Sequence, residues 1–113
     1  MLNVNLNVFF IKRSKMRIEY NCLYGECIDI YNIIEDERVV GSMEIIEEKD
    51  HTFLENIYIS EPYRGRGFLR ECINYFTDKP IVCLPLNQHR DKFRHLGFHK
   101  YKTEGSDVYF VRP

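Results

Sequence analysis

The sequence predicts a single domain, residues 1–113, with an α+β fold built on one mixed sheet. Apolar and polar residues alternate with period two through the first 60 positions, which is typical of antiparallel strands. A strand, a glycine turn and an amphipathic helix follow, and they lead into a short, continuously apolar run of the kind found in buried parallel strands. A weaker helix and two alternating segments, which predict a hairpin, complete the chain.

The N-terminal half predicts about five strands joined by short polar turns. They are expected near residues 2–10, 18–24, 28–34, 39–47 and 52–59. Consecutive strands joined in this way usually pair antiparallel. The first of them alternates Leu2, Val4 and Leu6 with asparagines, which differs from the continuous apolar core of a signal peptide. No apolar run reaches the length that spans a membrane.

The C-terminal half predicts two helices and three strands. Apolar residues from Phe68 to Phe76 recur with the period of one helix face, so a helix is expected over residues 66–77. Residues 81–84 predict a strand parallel to the one before the helix. A second helix is expected over residues 87–96, closed by Gly97 in a left-handed cap. Strands over residues 99–104 and 108–111 end the chain.

Charge is divided unevenly along the chain, although the net charge is only -1. Residues 1–60 carry 6 Lys or Arg and 11 Asp or Glu, whereas residues 61–113 carry 10 and 6. This division suits a protein that holds an anion with one half and a cation with the other, and chance surface composition explains it equally well. The chain has no dense run of Lys and Arg residues, so nucleic-acid binding is not predicted.

The four cysteines form no CxxC pair, so we expect reduced thiols, mostly buried, in a cytoplasmic protein.

The turn between the predicted fifth strand and first helix has the features of an anion site. Backbone N–H groups at a helix start are unpaired and carry partial positive charge. Gly65 and Gly67 would let the backbone approach a ligand, and Arg64 and Arg66 add full charges. A solvated loop with a helix cap is the alternative explanation.

Several motifs in this order resemble the GCN5-related N-acetyltransferases over residues 26–113. The family signature is Arg or Gln, two residues, Gly, one residue, then Gly or Ala, and the chain has Tyr63-Arg64-Gly65-Arg66-Gly67-Phe68-Leu69. The preceding Leu54-Glu55-Asn56-Ile57-Tyr58-Ile59 is similar to the family's cofactor-binding strand. Asn87 and His95-Leu96-Gly97-Phe98 resemble the end of its second helix. The chain has no counterpart of the two helices that usually follow the family's first strand.

The resemblance implies a GNAT-like fold with a splayed parallel strand pair and binding of acetyl-coenzyme A as cosubstrate. The cofactor's pyrophosphate would lie over the backbone amides from Arg64 to Leu69. Its pantetheine arm would follow the strand at Ile57, Tyr58 and Ile59, and the Ile59 amide would polarise the thioester carbonyl. An amine acceptor would then attack the thioester in a ternary complex. The resemblance implies these cofactor-binding residues: Ile57, Tyr58, Ile59, Arg64, Gly65, Arg66, Gly67, Phe68, Leu69, Asn87 and Phe93.

An ammonium group must lose a proton before it attacks, so the reaction needs a base. Glu55 is the first candidate, because its alternation with Phe53 and Ile57 predicts a partly apolar face, where burial makes a carboxylate a stronger base. It also matches an acidic position that relays protons through water in several relatives. A solvated or ion-paired strand carboxylate is the alternative. Glu44 is the second candidate and His51 the third.

Departures from the family pattern define a rival function. Leu69 replaces the small last residue of the signature, and Phe93 replaces a Tyr that protonates the departing thiolate in many relatives. Water, Tyr101, Tyr109 or a cysteine would then substitute, or the thiolate leaves unassisted. The rival is a degenerate member that binds coenzyme A or a protein partner without transfer.

The missing helices leave the acceptor side open. A large acceptor or a homodimer would complete it, and a purely structural interaction module is a third function that the long strand edges allow.

No metal site is expected. The histidines at positions 89, 95 and 99 are instead expected to line the cofactor's nucleotide end or to face solvent, because the neighbouring Arg and Lys residues repel cations.

Overall fold

The computed structural model describes residues 16–76 and 78–113. Within these ranges seven strands form one sheet in the order β1-β2-β3-β4-β5-β7-β6. The strands are β1 Met16–Tyr24, β2 Ile28–Glu35, β3 Arg38–Glu47, β4 Thr52–Ile59, β5 Ile81–Cys83, β6 His99–Glu104 and β7 Asp107–Arg112. The helices are α1 Phe68–Tyr75 and α2 Arg90–His95, each preceded by a short 3-10 helix, Glu61–Tyr63 and Asn87–His89. The predicted α+β fold is confirmed, whereas the strand predicted at residues 2–10 lies outside the described residues.

The pairing of the strands follows the predicted order. Strands β1 to β4 form an antiparallel meander, β4 and β5 pair in parallel, and β7 pairs antiparallel with both β5 and β6. Asp36 and Glu37 have φ values of 50° and 65° in the two-residue turn between β2 and β3. Such a left-handed pair matches the twist of the flanking strands.

Both helices pack on the same face of the sheet and enclose the core there. Phe68, Cys72 and Ile73 of α1 and Phe93 of α2 are buried in one cluster with the sheet residues Ile33, Val40, Met43, Ile45, Leu54, Ile81, Cys83 and Phe110. Helix α1 is shorter than predicted because Phe76 is extended, with φ -98° and ψ 102°. The second predicted helix divides into a 3-10 turn and the six-residue α2.

The opposite face of the sheet carries no helix among the residues that the structure describes. Residues 25–27 alone connect β1 to β2, so no helix lies between these two strands. No described helix is both long enough and apolar enough to cross a bilayer. All four cysteines are free; Cys72 and Cys83 are buried as predicted, whereas Cys22 and Cys27 are exposed.

Candidate active site

Strands β4 and β5 pair over three positions only and then part. Thr52 lies opposite Ile81 and Leu54 opposite Cys83, where β5 ends. Strand β4 continues to Ile59. Beyond Leu54, β4 therefore has β3 on one side and an open edge on the other.

A β-bulge lies where the two strands part. On β3, Ile45 pairs with Leu54 and Glu44 with Asn56, which leaves Glu55 as the additional residue of β4. A bulge of this kind inserts one unpaired residue, and it bends and twists its strand. Glu55 is exposed at this position.

The bulge changes which residues of β4 face the core. Leu54 is buried before it, and Ile57 and Ile59 pack against the same core after it. Phe53 lies on the other face, where its ring packs against a tyrosine of β7. The predicted common face of Phe53, Glu55 and Ile57 is therefore wrong, and Glu55 lacks the partial burial that was expected for it.

Two backbone amides of β4 point to the open edge. The amide of Ser60 donates to the carbonyl of Val40 on β3 at 2.8 Å. Alternate residues of an antiparallel strand turn their N–H and C=O groups to opposite sides, so those of Ile57 and Ile59 point away from β3. The Ile59 carbonyl accepts a hydrogen bond from Arg64 Nε at 2.6 Å on that side. The edge thus presents two amide donors beside an arginine.

The turn after β4 ends in the first turn of α1. Gly65 and Gly67 adopt left-handed conformations, with φ of 76° and 83°. The Glu71 amide donates to the Gly67 carbonyl at 3.2 Å, the first hydrogen bond of the helix ladder. The amides of Phe68, Leu69 and Arg70 precede it and have no acceptor within the helix. The turn therefore has the donors and the local dipole of an anion site.

A cleft of about 560 Å³ joins the open edge of β4, this turn and the two helices. Its cationic side chains are Arg64, Arg70 and Lys92, with His89 beside them. No Asp or Glu lines it among the described residues, so the summed charge of its walls attracts anions. The remaining lining residues are Ile57, Tyr58, Ile59, Tyr63, Gly65, Gly67, Phe68, Leu69, Phe93 and Leu96.

Most of the residues predicted to hold the cofactor lie together in this cleft. Arg66, Asn87 and Glu55 do not line it. Asn87 begins the second 3-10 helix and is exposed. The predicted residues that line the cleft are Ile57, Tyr58, Ile59, Arg64, Gly65, Gly67, Phe68, Leu69 and Phe93.

Sequence reasoning missed several residues of the cleft. Arg70 lies in the first turn of α1, three residues after Gly67, and Lys92 is adjacent to Phe93 on α2. Both are cations on the cleft-facing sides of the two helices. Their position next to the predicted anion turn and next to a predicted cofactor residue was the signal that could have identified them.

The candidate bases differ in their surroundings. Glu44 is half-buried and accepts a hydrogen bond from Asn56 Nδ2 at 3.0 Å, across the strand pair at the bulge. His51 Nδ1 lies 2.7 Å from Asp50 Oδ1 at the start of β4, away from the cleft. Glu55, at the bulge, has no ion pair with the residues described. Both glutamates lie at the bulge, where β4 and β5 part.

The histidines do not form a metal centre. His89 lines the cleft, His95 Nδ1 lies 2.8 Å from the Asp91 carbonyl, and His99 is exposed at the start of β6. Across residues 16–76 and 78–113, no group of three or more His, Cys, Asp or Glu side chains is arranged to hold a metal ion.

A match to a protein-family model shows which family the chain belongs to. The model described as acetyltransferase (GNAT) family matches residues 7–80, more than half of the 113 residues. The chain belongs to this family. No curated protein sequence gives a significant match.

Solved structures of GNAT proteins have the same fold at low sequence identity. The PaiA N-acetyltransferase of Thermoplasma acidophilum, in complex with coenzyme A, is 18% identical with a TM-score of 0.62 over 76% of this chain and 60% of its own. A Bacillus subtilis acetyltransferase in complex with CoA is 12% identical with a TM-score of 0.67 over 86% and 97%. A GNAT family acetyltransferase from Elizabethkingia anophelis with acetyl-CoA bound is 11% identical with a TM-score of 0.66 over 85% and 96%. The chain thus spans three fifths of the first structure and nearly all of the other two.

Two departures from the GNAT signature have identifiable surroundings. Leu69 lines the cleft and is half-buried against the core, so its side chain contacts the protein interior as well as the cleft. Phe93 is 8% exposed, and its ring meets Phe98 edge-on at 5.2 Å. It lines the cleft without a proton to donate.

Proposed function

We propose that this protein transfers an acetyl group from acetyl-coenzyme A to an amine, by direct attack of the amine on the thioester. The observation that carries the proposal is the open edge of β4, whose Ile57 and Ile59 amides adjoin a cationic cleft. An extended, amide-containing cofactor arm can pair with such an edge as an added strand does. The Elizabethkingia relative was crystallised with acetyl-CoA, and two other relatives with coenzyme A.

The proposed pose places the pyrophosphate over the amides of the turn and of the first turn of α1. Arg70 and Lys92 face this position from the two helices and contribute charge. The pantetheine arm follows β4, and the Ile59 amide, or the Ile57 amide one step nearer the bulge, donates to the thioester carbonyl. A preorganised donor of this kind stabilises the negative charge that develops on the oxygen during attack.

Glu55 is proposed as the base that removes the proton of the ammonium group through a water molecule. Its position at the bulge supports the role, because the acceptor must approach the thioester where β4 and β5 part. Its exposure argues for a water relay, since an exposed carboxylate is hydrated. Glu44 stays the second candidate, held by Asn56.

The departing thiolate is proposed to leave without a protein acid. Burial raises the pKa of the Cys83 thiol to about 12, which makes it a poor proton donor. Tyr101 and Tyr109 line a separate cleft of about 270 Å³, together with Phe53 on the other face of the sheet. A thiol has a pKa of about 8.5, so its thiolate is a tolerable leaving group in water.

A degenerate member that binds coenzyme A or a protein partner without transfer is the alternative. Phe93 and the exposure of Glu55 are the observations that favour it. Calorimetry with acetyl-coenzyme A and thiol release with a panel of amines separate the two. Turnover supports the transferase, and binding without turnover on any amine supports the alternative. No binding at millimolar cofactor excludes the transferase and the member that binds coenzyme A, and leaves only the member that binds a protein partner.

The acceptor side of the site lies open, and we propose that a large acceptor or a second copy of the chain completes it. Two observations support this: no helix covers the other face of the sheet within residues 16–76 and 78–113, and only residues 25–27 connect β1 to β2. Light scattering that gives a strict monomer in solution leaves the large acceptor alone.

A further inference from the structure

A carboxylate is buried next to the turn that is proposed to hold the pyrophosphate. Glu35 is the last residue of β2, and its side chain is 1% exposed. Neither of its oxygens accepts a hydrogen bond from any residue that the structure describes. An ionised carboxylate in such a place is costly unless a cation compensates it.

The compensating cation comes from the turn itself. Arg66 Nη1 lies 3.6 Å from Glu35 Oε1, which is an ion-pair distance but too long for a good hydrogen bond. The Arg66 side chain is 50% exposed and does not line the cleft. Within residues 16–76 and 78–113 this is the one ion pair that Glu35 makes.

Arg66 also belongs to a stack that forms one wall of the cleft. Its guanidinium carbon lies 5.1 Å from the centre of the Tyr63 ring. The Tyr63 ring in turn stacks on Phe68, with centroids 6.4 Å apart and an angle of 17° between the planes. Tyr63 and Phe68 line the cleft on either side of the glycine turn. Glu35 thus contacts the stack through its ion pair with Arg66.

We propose that Glu35 is a positioning residue for the cofactor turn. It holds the Arg66 guanidinium on Tyr63, and the stack then fixes the chain from Tyr63 to Phe68, so that the amides of the turn point into the cleft. A charge in a poorly solvated site acts more strongly on its partner than an exposed charge does. The second arginine of the signature therefore shapes the site and does not contact phosphate. This inference rests on the proposed binding of coenzyme A.

The variant Glu35→Gln separates positioning from general structural support. It keeps the shape of the side chain and removes the charge, so the Kd for coenzyme A should rise about tenfold through loss of the Arg66 interaction. Its midpoint of urea unfolding should stay equal to that of wild type or increase, because the removed charge is buried, makes no hydrogen bond and pairs only at 3.6 Å with Arg66, whose half-exposed guanidinium stays hydrated in the variant. Glu37→Gln is the matched control. Glu37 lies two residues after Glu35, is exposed and pairs with Arg17. It should leave the Kd unchanged.

A double-mutant cycle and hydrogen exchange complete the test. Arg66→Met should weaken coenzyme A binding about as much as Glu35→Gln, and the double variant should lose no more than either. Exchange of the amides of residues 64–69 should accelerate in Glu35→Gln without any ligand present. Equal or tighter binding of coenzyme A by Glu35→Gln, or additive losses, would overturn the proposal. If wild type binds no coenzyme A, the proposed function fails, and unchanged exchange in Glu35→Gln then overturns the positioning role separately.

Discussion

Replacing Gly67 by Ala tests the proposed anion turn with a cost that the structure defines. Gly67 has φ of 83°, and a Cβ added there meets nothing within 4 Å. The penalty is therefore conformational, about 1–2 kcal/mol for an L-residue in the left-handed region. In a domain of this size that lowers the Tm by about 4–8 °C.

The same substitution should also weaken coenzyme A binding by the protein that remains folded. Gly67 lines the cleft and directly precedes α1, so its φ sets the direction of the amides that would meet the pyrophosphate. Its added Cβ also projects into space that contains no other protein atom. We expect the Kd to rise at least about tenfold, which corresponds to 1.4 kcal/mol.

Gly105→Ala provides a control matched in backbone conformation. Gly105 has φ of 61° in the turn between β6 and β7, and its added Cβ also meets nothing within 4 Å. Thermal unfolding should show similar losses for the two variants, and calorimetry at a temperature where both are folded should show weaker binding only for Gly67→Ala. Equal Kd values for the two variants would refute the assignment of the turn as the anion site.

Three further variants or profiles follow from the site. Arg64→Gln should weaken coenzyme A binding severalfold at low salt and reduce its dependence on salt, whereas a salt-independent loss in titrations would indicate altered folding. Glu55→Gln should slow transfer most at neutral and lower pH, with the deficit shrinking as the amine becomes deprotonated without help; Glu48→Gln serves as the exposed control, and a pH-independent ratio of rates would exclude Glu55 as the base. Burial raises the pKa of the Cys72 and Cys83 thiols to about 12 in the folded protein, above their value of 9.0 without burial. Their contribution to the free energy of unfolding should thus be complete below pH 9 and fall as pH rises towards 12, by up to about 1.4 kcal/mol per pH unit per thiol, and urea titrations of Cys83→Ala should show a flatter decline than wild type.

Periodicity predicted the elements of this fold because most of its strands and helices bury one face. The strands from β2 to β7 and α1 lie within a few residues of their predicted bounds. The second helix was less well predicted, since only Phe93 is buried within α2 and a single apolar contact leaves its first turn free to tighten to a 3-10 helix.

The position of Glu55 could not be predicted from alternation. The side-chain period of a strand is two, so one inserted residue moves every later side chain to the other face. The extra residue of β4 lies opposite the step from Glu44 to Ile45 on β3, and nothing in the local sequence of β4 predicts it. The prediction therefore placed Glu55 with Phe53 and Ile57, whereas the bulge separates all three.

The two arginines of the turn show why counting charges is a poor guide to an anion site. Sequence reasoning assigned both to the cofactor, yet Arg64 Nε donates to the Ile59 carbonyl and Arg66 pairs with buried Glu35. Each guanidinium thus contacts a protein group, and of the two only Arg64 also lines the cleft. Arg70 and Lys92 line the cleft from α1 and α2, and Arg70 Nη2 also donates to the His95 carbonyl at 3.3 Å. The turn therefore supplies oriented amides and the charge of Arg64, and the two helices supply the further positive charge that attracts an anion to them.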